Sequence, residues 1–220
     1  MCHTLCAHAH YTLPGNKKLA LHFAHISSHT LFLFLRTAVN TREINQNEAK
    51  IVVIKDDGYA AIQPPDDSAP LREFSFDYTY DDDSLQLTVY ENLGAPLLDK
   101  AFNGWNGTIF AYGQTGAGKS FSMTGTPSMP GIIPQMNANM FTRIAASKEE
   151  NPNKLFLVTC SFMEIYNEVL YDLLDPTATR GTNKSRKDSH IDVKEDPKLG
   201  VYVAGLQEIG VDSQEKIEKL

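Results

Sequence analysis

A chain of 220 residues with 42% hydrophobic and 21% charged residues sits in the ordinary soluble globular range and is long enough for one substantial core. The formal charge of −7 excludes a general attraction to DNA, RNA or anionic lipid, so an acidic partner would need a local basic patch, and neither a nucleic acid nor a membrane is the expected partner. Cys2, Cys6 and Cys160 are too few and too unevenly placed for a disulfide framework, which points to a reducing compartment, the cytoplasm.

Six of the seven histidines lie in the first 35 residues, and the first acidic residue is Glu43. This shift marks a boundary near Arg36, with residues 1–35 read as an atypical leader, either poorly structured or a mispredicted start. Its apolar run Leu19 to Leu35 follows Lys17 and Lys18 but falls short of the roughly 20 residues that span a bilayer. Cys2, His3, Cys6, His8 and His10 have metal-binding side chains, yet no second CxxC or HxxxH completes a ligand set.

Past the boundary, Ile51-Val-Val-Ile54 and Tyr59-Ala-Ala-Ile62 read as short strands around the turn Asp56-Asp57-Gly58. Pro64, Pro65 and Pro70 make a loop, and Phe74-Ser-Phe-Asp-Tyr78 predicts a strand with its aromatics on one face. From Leu85 to Phe102 the apolar residues recur at helical spacing, with Pro96 kinking the helix or starting a second one. Thr108-Ile-Phe-Ala-Tyr112 is an uncharged run expected of a central strand covered on both faces. A helix should begin after Ser120, break over Gly125 to Gly131 and resume behind Pro134 with Met136, Met140, Phe141 and Ile144 on one face. Leu155 to Tyr166 predicts a long strand, Val169, Leu170, Leu173 and Leu174 a short helix, and Asp212 with Glu215 the cap of a last helix in which the chain stops. The alternation of strand and helix gives an α/β fold with a mixed central sheet flanked by helices.

The chemistry is concentrated in Gly113-Gln114-Thr115-Gly116-Ala117-Gly118-Lys119-Ser120. Phosphate charge is held by backbone N–H groups at a helix N-terminus, and only glycine lets those amides come close enough to the oxygens. Lys119 would reach the β- and γ-phosphates, and Ser120 would offer its hydroxyl to Mg²⁺. The pattern GxxxxGK[ST] arises by chance in roughly one chain in a hundred of this length, but here it follows a predicted strand and opens a predicted helix, the setting it requires.

The longer run Gly107-Thr-Ile-Phe-Ala-Tyr-Gly-Gln-Thr-Gly-Ala-Gly-Lys-Ser-Phe-Ser-Met-Thr-Gly125 resembles the kinesin motor domain. Further matches keep the family's order: Asn40-Thr-Arg-Glu43, Phe74-Ser-Phe-Asp77, Val89-Tyr90, Gly131-Ile-Ile-Pro134, and Ser161-Phe-Met-Glu-Ile-Tyr-Asn-Glu168 with Asp172-Leu-Leu174. Ser120 and the Gly-Ile-Ile-Pro-Gln run are most similar to the kinesin-3 class. The resemblance covers residues 36–220. It implies a phosphate-loop NTPase of kinesin type, incomplete at its C-terminus, with ATP hydrolysis coupled to movement on the microtubule cytoskeleton. It also implies that Phe121 lies against the adenine, while Glu164, Tyr166 and Asn167 are read as structural.

The family's opening strand ends in Arg-x-Arg-Pro, whereas Leu33-Phe-Leu-Arg-Thr-Ala-Val39 has no proline. The chain also contains neither N-x-x-S-S-R-S-H nor D-x-x-G-[ST]-E, the segments that sense the γ-phosphate in the family, so its catalytic residues are unknown and the isolated chain is expected to be inactive and not motile. Arg180, Lys184, Arg186 and Lys187 lie where kinesins have a loop facing acidic tubulin, and read either as a steering patch or as a plain solvated loop. The alternative function is a non-enzymatic nucleotide- or microtubule-binding module.

Overall fold

The computed structural model describes residues 6–13, 17–21, 34–36, 52–54, 58–62, 70–113, 116–175, 191–198 and 200–220, with side chains from residue 52 onward. Its strands are β1 (Cys6–Leu13), β2 (Lys17–Leu21), β3 (Phe34–Arg36), β4 (Val52–Ile54), β5 (Tyr59–Ile62), β6 (Arg72–Ser75), β7 (Tyr78–Tyr80), β8 (Gly125–Thr126), β9 (Met129–Pro130), β10 (Leu157–Tyr166), β11 (Val169–Asp172), β12 (Asp192–Asp196), β13 (Gly200–Ala204) and β14 (Ile209–Val211). The helices are α1 (Gln86–Val89), α2 (Ala95–Phe102), α3 (Lys119–Met123), α4 (Ile132–Glu150) and α5 (Gln214–Glu218), with a π turn over Tyr90–Gly94. Chain contacts define two units, one of Met1–Cys2, Ser28–Pro96 and Ala111–Met136, the other of His3–Ser27, Leu97–Phe110 and Asn137–Leu220.

In the first unit β4, β5 and β6 form an antiparallel meander, and β3 pairs in parallel with β7. The single strand expected over Phe74–Tyr78 is in fact divided between these two sheets. The backbone breaks at Phe76 and Asp77, where the Phe76 amide donates to the Gly58 carbonyl at 2.7 Å. The Gly58 amide in turn donates to Thr79 Oγ1 at 2.9 Å. Gly58 has φ of 86°, so the turn requires a residue at ease in that region. Tyr78 and Tyr80 sit two apart on one strand face and stack with ring centroids 6.4 Å apart.

Helical spacing from Leu85 correctly marks a helix, and of the two expectations for Pro96 the structure has the second, since a further helix starts beside it. α1 widens into the π turn, and Pro96 falls in the first turn of α2. Gly94 is required inside the π turn, because a Cβ there would sit 2.6 Å from the Tyr90 ring.

In the second unit β10 carries a five-stranded sheet. One edge pairs with β1 from Cys6↔Met163 to Thr12↔Leu157, and β2 continues beyond β1. These two strands lie in the leader, where the composition gave no elements because it marked a boundary and not an alternation. The other edge of β10 takes β11 and β14 end to end.

The helix expected at Val169–Leu174 is the strand β11. Asn167 and Glu168, at φ of 48° and 63°, form a two-residue turn with both central residues left-handed, which folds β11 back on β10. Buried Asp172 closes β11: Oδ1 accepts from the Leu174 amide at 2.9 Å and Oδ2 from the Gln207 amide at 2.8 Å. The last helix is capped by Ser213 rather than Asp212, since Ser213 Oγ accepts from the Lys216 amide at 3.3 Å. Asp212 instead pairs with Lys216 at 3.6 Å.

Two predictions follow from this geometry. Glu168→Gly removes a strained left-handed glutamate and should raise stability by about 0.5–1 kcal/mol in urea unfolding, whereas β-branched Glu168→Val should lower it. Burial pushes the Cys160 thiol up to about 11 from 9.0, so the fold favours the neutral form. That contribution is fully present below the unfolded thiol's pKa and is lost as pH rises through the window from 9 to 11. The urea midpoint should therefore fall more steeply across that window in the wild type than in Cys160→Ala.

Candidate functional site

The run Gly107–Gly113 leads into the glycine-rich loop without regular secondary structure, so the structure corrects the central strand expected over Thr108–Tyr112. No strand pair among the described residues includes it, and Phe110 and Tyr112 are 68% and 86% exposed. An apolar run becomes a covered strand only where neighbouring strands complete its ladder.

The loop turns through glycines at positive φ: Gly113 at 149°, Gly116 at 88° and Gly118 at 83°. A Cβ on Gly113 would come within 3.0 Å of Ala117 Cβ. At Gly118, the N-cap of α3, the space around a Cβ is open, so the glycine is needed there for backbone conformation alone. No side chain caps this helix end, which lies at the positive end of the helix dipole. α3 then forms through the Ser122 amide on Gly118 O at 2.9 Å and the Thr124 amide on Ser120 O at 2.8 Å.

Lys119 folds back over the loop, its ammonium donating to the Gly113 carbonyl at 2.7 Å. Both ends of the motif are thereby drawn around one small volume. Gly116, Ala117 and Ser120 are exposed, and Phe121 is half-buried. Gln114 and Thr115, and the basic residues Arg180, Lys184, Arg186 and Lys187, lie outside the described residues.

Two features of this region act from outside the glycine-rich loop. Gln86, buried at the start of α1, donates from Nε2 to the Phe121 carbonyl at 2.5 Å. Gly131 lets the β8–β9 hairpin close on the end of α3, since a Cβ there would lie 2.6 Å from the Met123 carbonyl oxygen and 2.7 Å from that of Ser122. The only sequence signal for Gln86 was a polar residue opening an apolar helical stripe.

A helix start without a side-chain cap, three glycines at positive φ and a lysine at the head of the helix suit a polyphosphate, and the Ser120 hydroxyl on the same turn suits a magnesium ion bound with it. Loop and fold together define a phosphate-loop NTPase of the α/β class. The kinesin motor domain model matches residues 36–220, and the chain belongs to the kinesin motor domain family. It is 40% identical over 204 residues to the mouse kinesin-like protein KIF13A, covering 84% of this chain and 11% of that protein. To the kinesin-like protein KIP2 of Eremothecium gossypii it is 42% identical over 150 residues, covering 67% of this chain and 22% of the relative.

Among solved structures it is similar to KIF14 with ADP in complex with a microtubule, at a TM-score of 0.74 and 32% identity, covering 87% of this chain and 54% of that one. The structure of a fast kinesin matches at a TM-score of 0.74 and 33% identity, covering 86% and 51%. The chain thus spans about half of these solved motor domains and about a tenth to a fifth of the curated relatives.

Gly131→Ala must displace backbone and should cost about 1–3 kcal/mol, more than Gly118→Ala, which meets only conformational strain of about 1 kcal/mol. Urea unfolding of the two variants checks the order.

Proposed function

We propose that this chain is the ATP-binding part of a microtubule-based motor that couples ATP hydrolysis to movement in the cytoplasm, on the microtubule cytoskeleton. The observation that carries the reading is the loop from Gly113 to Ser120, with its three positive-φ glycines, its uncapped helix start and Lys119 folded over it. Membership of the kinesin motor domain family supports it, as does the likeness to structures described with ADP or AMP-PNP and a microtubule. The family match begins at residue 36, which supports reading residues 1–35 as lying outside the matched region, although β1 and β2 within them pair onto β10.

In this reading Gly113, Gln114, Thr115, Gly116, Ala117 and Gly118 supply backbone amides to the phosphates, Lys119 neutralises the β- and γ-phosphate oxygens, and Phe121 lies against the adenine. Ser120 holds the magnesium, which when bound draws charge from the terminal phosphates. The chain's own part is to bind and orient, by electrostatics fixed in advance. Hydrolysis also needs groups that position water, and neither γ-phosphate-sensing segment is present in these 220 residues. The isolated chain is therefore proposed to bind ATP while hydrolysing it near the background rate, and not to move. Arg180, Lys184, Arg186 and Lys187 are proposed to steer the encounter with acidic tubulin.

The second reading is a non-enzymatic nucleotide- or microtubule-binding module. Both segments found downstream in the same transcript would support the motor, and a stop codon after Leu220 the module.

Calorimetric titration with Mg-ATP should give saturable binding that weakens at least about tenfold in Lys119→Ala, the loss of at least one charge-assisted hydrogen bond. No binding, or equal binding by the variant, would contradict the reading. Phosphate release above background from the isolated chain with microtubules would contradict its proposed inactivity. Charge reversal at the four basic residues should lower microtubule affinity and flatten its salt dependence, and steering is wrong if both stay unchanged.

A further inference from the structure

A helix as short as α3 cannot supply donors for its own last carbonyls, and Phe121 O is in that last turn. A donor comes instead from Gln86, 35 residues earlier in the chain, through Nε2 at 2.5 Å. Gln86 is 6% exposed, so its amide has been taken out of water to reach this position. Packing alone would be served better by an apolar side chain of the same length.

Gln86 is itself braced. Gln135, in the first turn of α4, donates from Nε2 to the Gln86 carbonyl at 3.3 Å, to the Pro130 carbonyl at 2.8 Å and to the Gly131 carbonyl at 3.3 Å. Two glutamine amides in series thus tie the first turn of α4 and strand β9 to the start of α1, and the start of α1 to α3.

Phe121 follows Lys119 by two residues, roughly 3 Å along the helix axis. Fixing the Phe121 carbonyl therefore fixes the helix that carries the Lys119 ammonium and the first-turn amides behind Gly118. We propose that Gln86 is a positioning residue for the phosphate loop, holding α3 at the depth where its amides and Lys119 converge on polyphosphate. Gln86 touches no phosphate and acts only through the main chain of α3. The inference rests on the nucleotide-binding reading and names a residue outside the loop on which that binding depends.

The test is titration of the full 220-residue chain with Mg-ATP and with Mg-tripolyphosphate, in wild type and Gln86→Met, at a temperature where urea curves show both folded. Methionine keeps the length and the packing and removes the donors. Both affinities should fall roughly fivefold, the worth of one hydrogen bond, with their ratio unchanged because the loss lies in the phosphate loop and not at the base. A brace with no bearing on the loop would lower the urea midpoint and leave both affinities alone, and that result overturns the proposal. A wild type that binds neither ligand overturns the nucleotide reading and this inference with it. Should Gln86→Met not fold, Gln86→Asn, with the amide one carbon short, takes its place: the same fall supports the proposal, and unchanged affinities overturn it.

Discussion

A main chain forced through positive φ at Gly113, Gly116 and Gly118 is the constraint on which the site depends. Side chains at such angles cost about 1–2 kcal/mol each, so the loop keeps this path only with residues that have none. The path leads into the start of α3, where no side chain caps the helix, and it brings Lys119 back over the Gly113 carbonyl. The lysine charge is therefore held against the loop's own main chain. That is economical chemistry for an anion, because the donors are oriented before it arrives.

Such a loop is only as well placed as the short helix behind it. A helix of five residues has little stability of its own and must borrow it from contacts. Here those contacts are specific: the β8–β9 hairpin closes against its end through Gly131, and the Gln86 amide donates to the Phe121 carbonyl. The π turn serves the same neighbourhood, since Gly94 within it leaves room for Tyr90 and Ile132. In the second unit the equivalent framework is β10, which has a paired strand on each edge and is tied through Asp172 to the backbone at Gln207.

Legibility in the sequence followed how local the cause was. The phosphate loop was readable because each of its residues has its own reason to be there, and β4 and β5 because a turn stands between two apolar runs. Val169–Leu174 was misread as helix because its apolar spacing fits either period, and the deciding turn uses Asn167 and Glu168 where a glycine would have signalled it. Phe74–Tyr78 was misread as one strand because the break at Phe76 is set by a bond to Gly58, well away in sequence. Thr108–Tyr112 has the composition of a covered strand, but covering depends on partners that composition does not contain. Ser213 outcompeted Asp212 by one position, the ordinary uncertainty of a helix end. Gln86 was illegible because a single glutamine on a helix has no pattern to betray it.

The central claim, that main-chain amides between residues 113 and 120 grip polyphosphate, is tested most directly by amide-resolved NMR of the ¹⁵N-labelled chain titrated with Mg-ADP. The account predicts the largest shifts at the Gly116, Gly118, Lys119 and Ser120 amides, saturating together at one dissociation constant. Shifts confined to other parts of the chain, or none at saturating nucleotide, would contradict it.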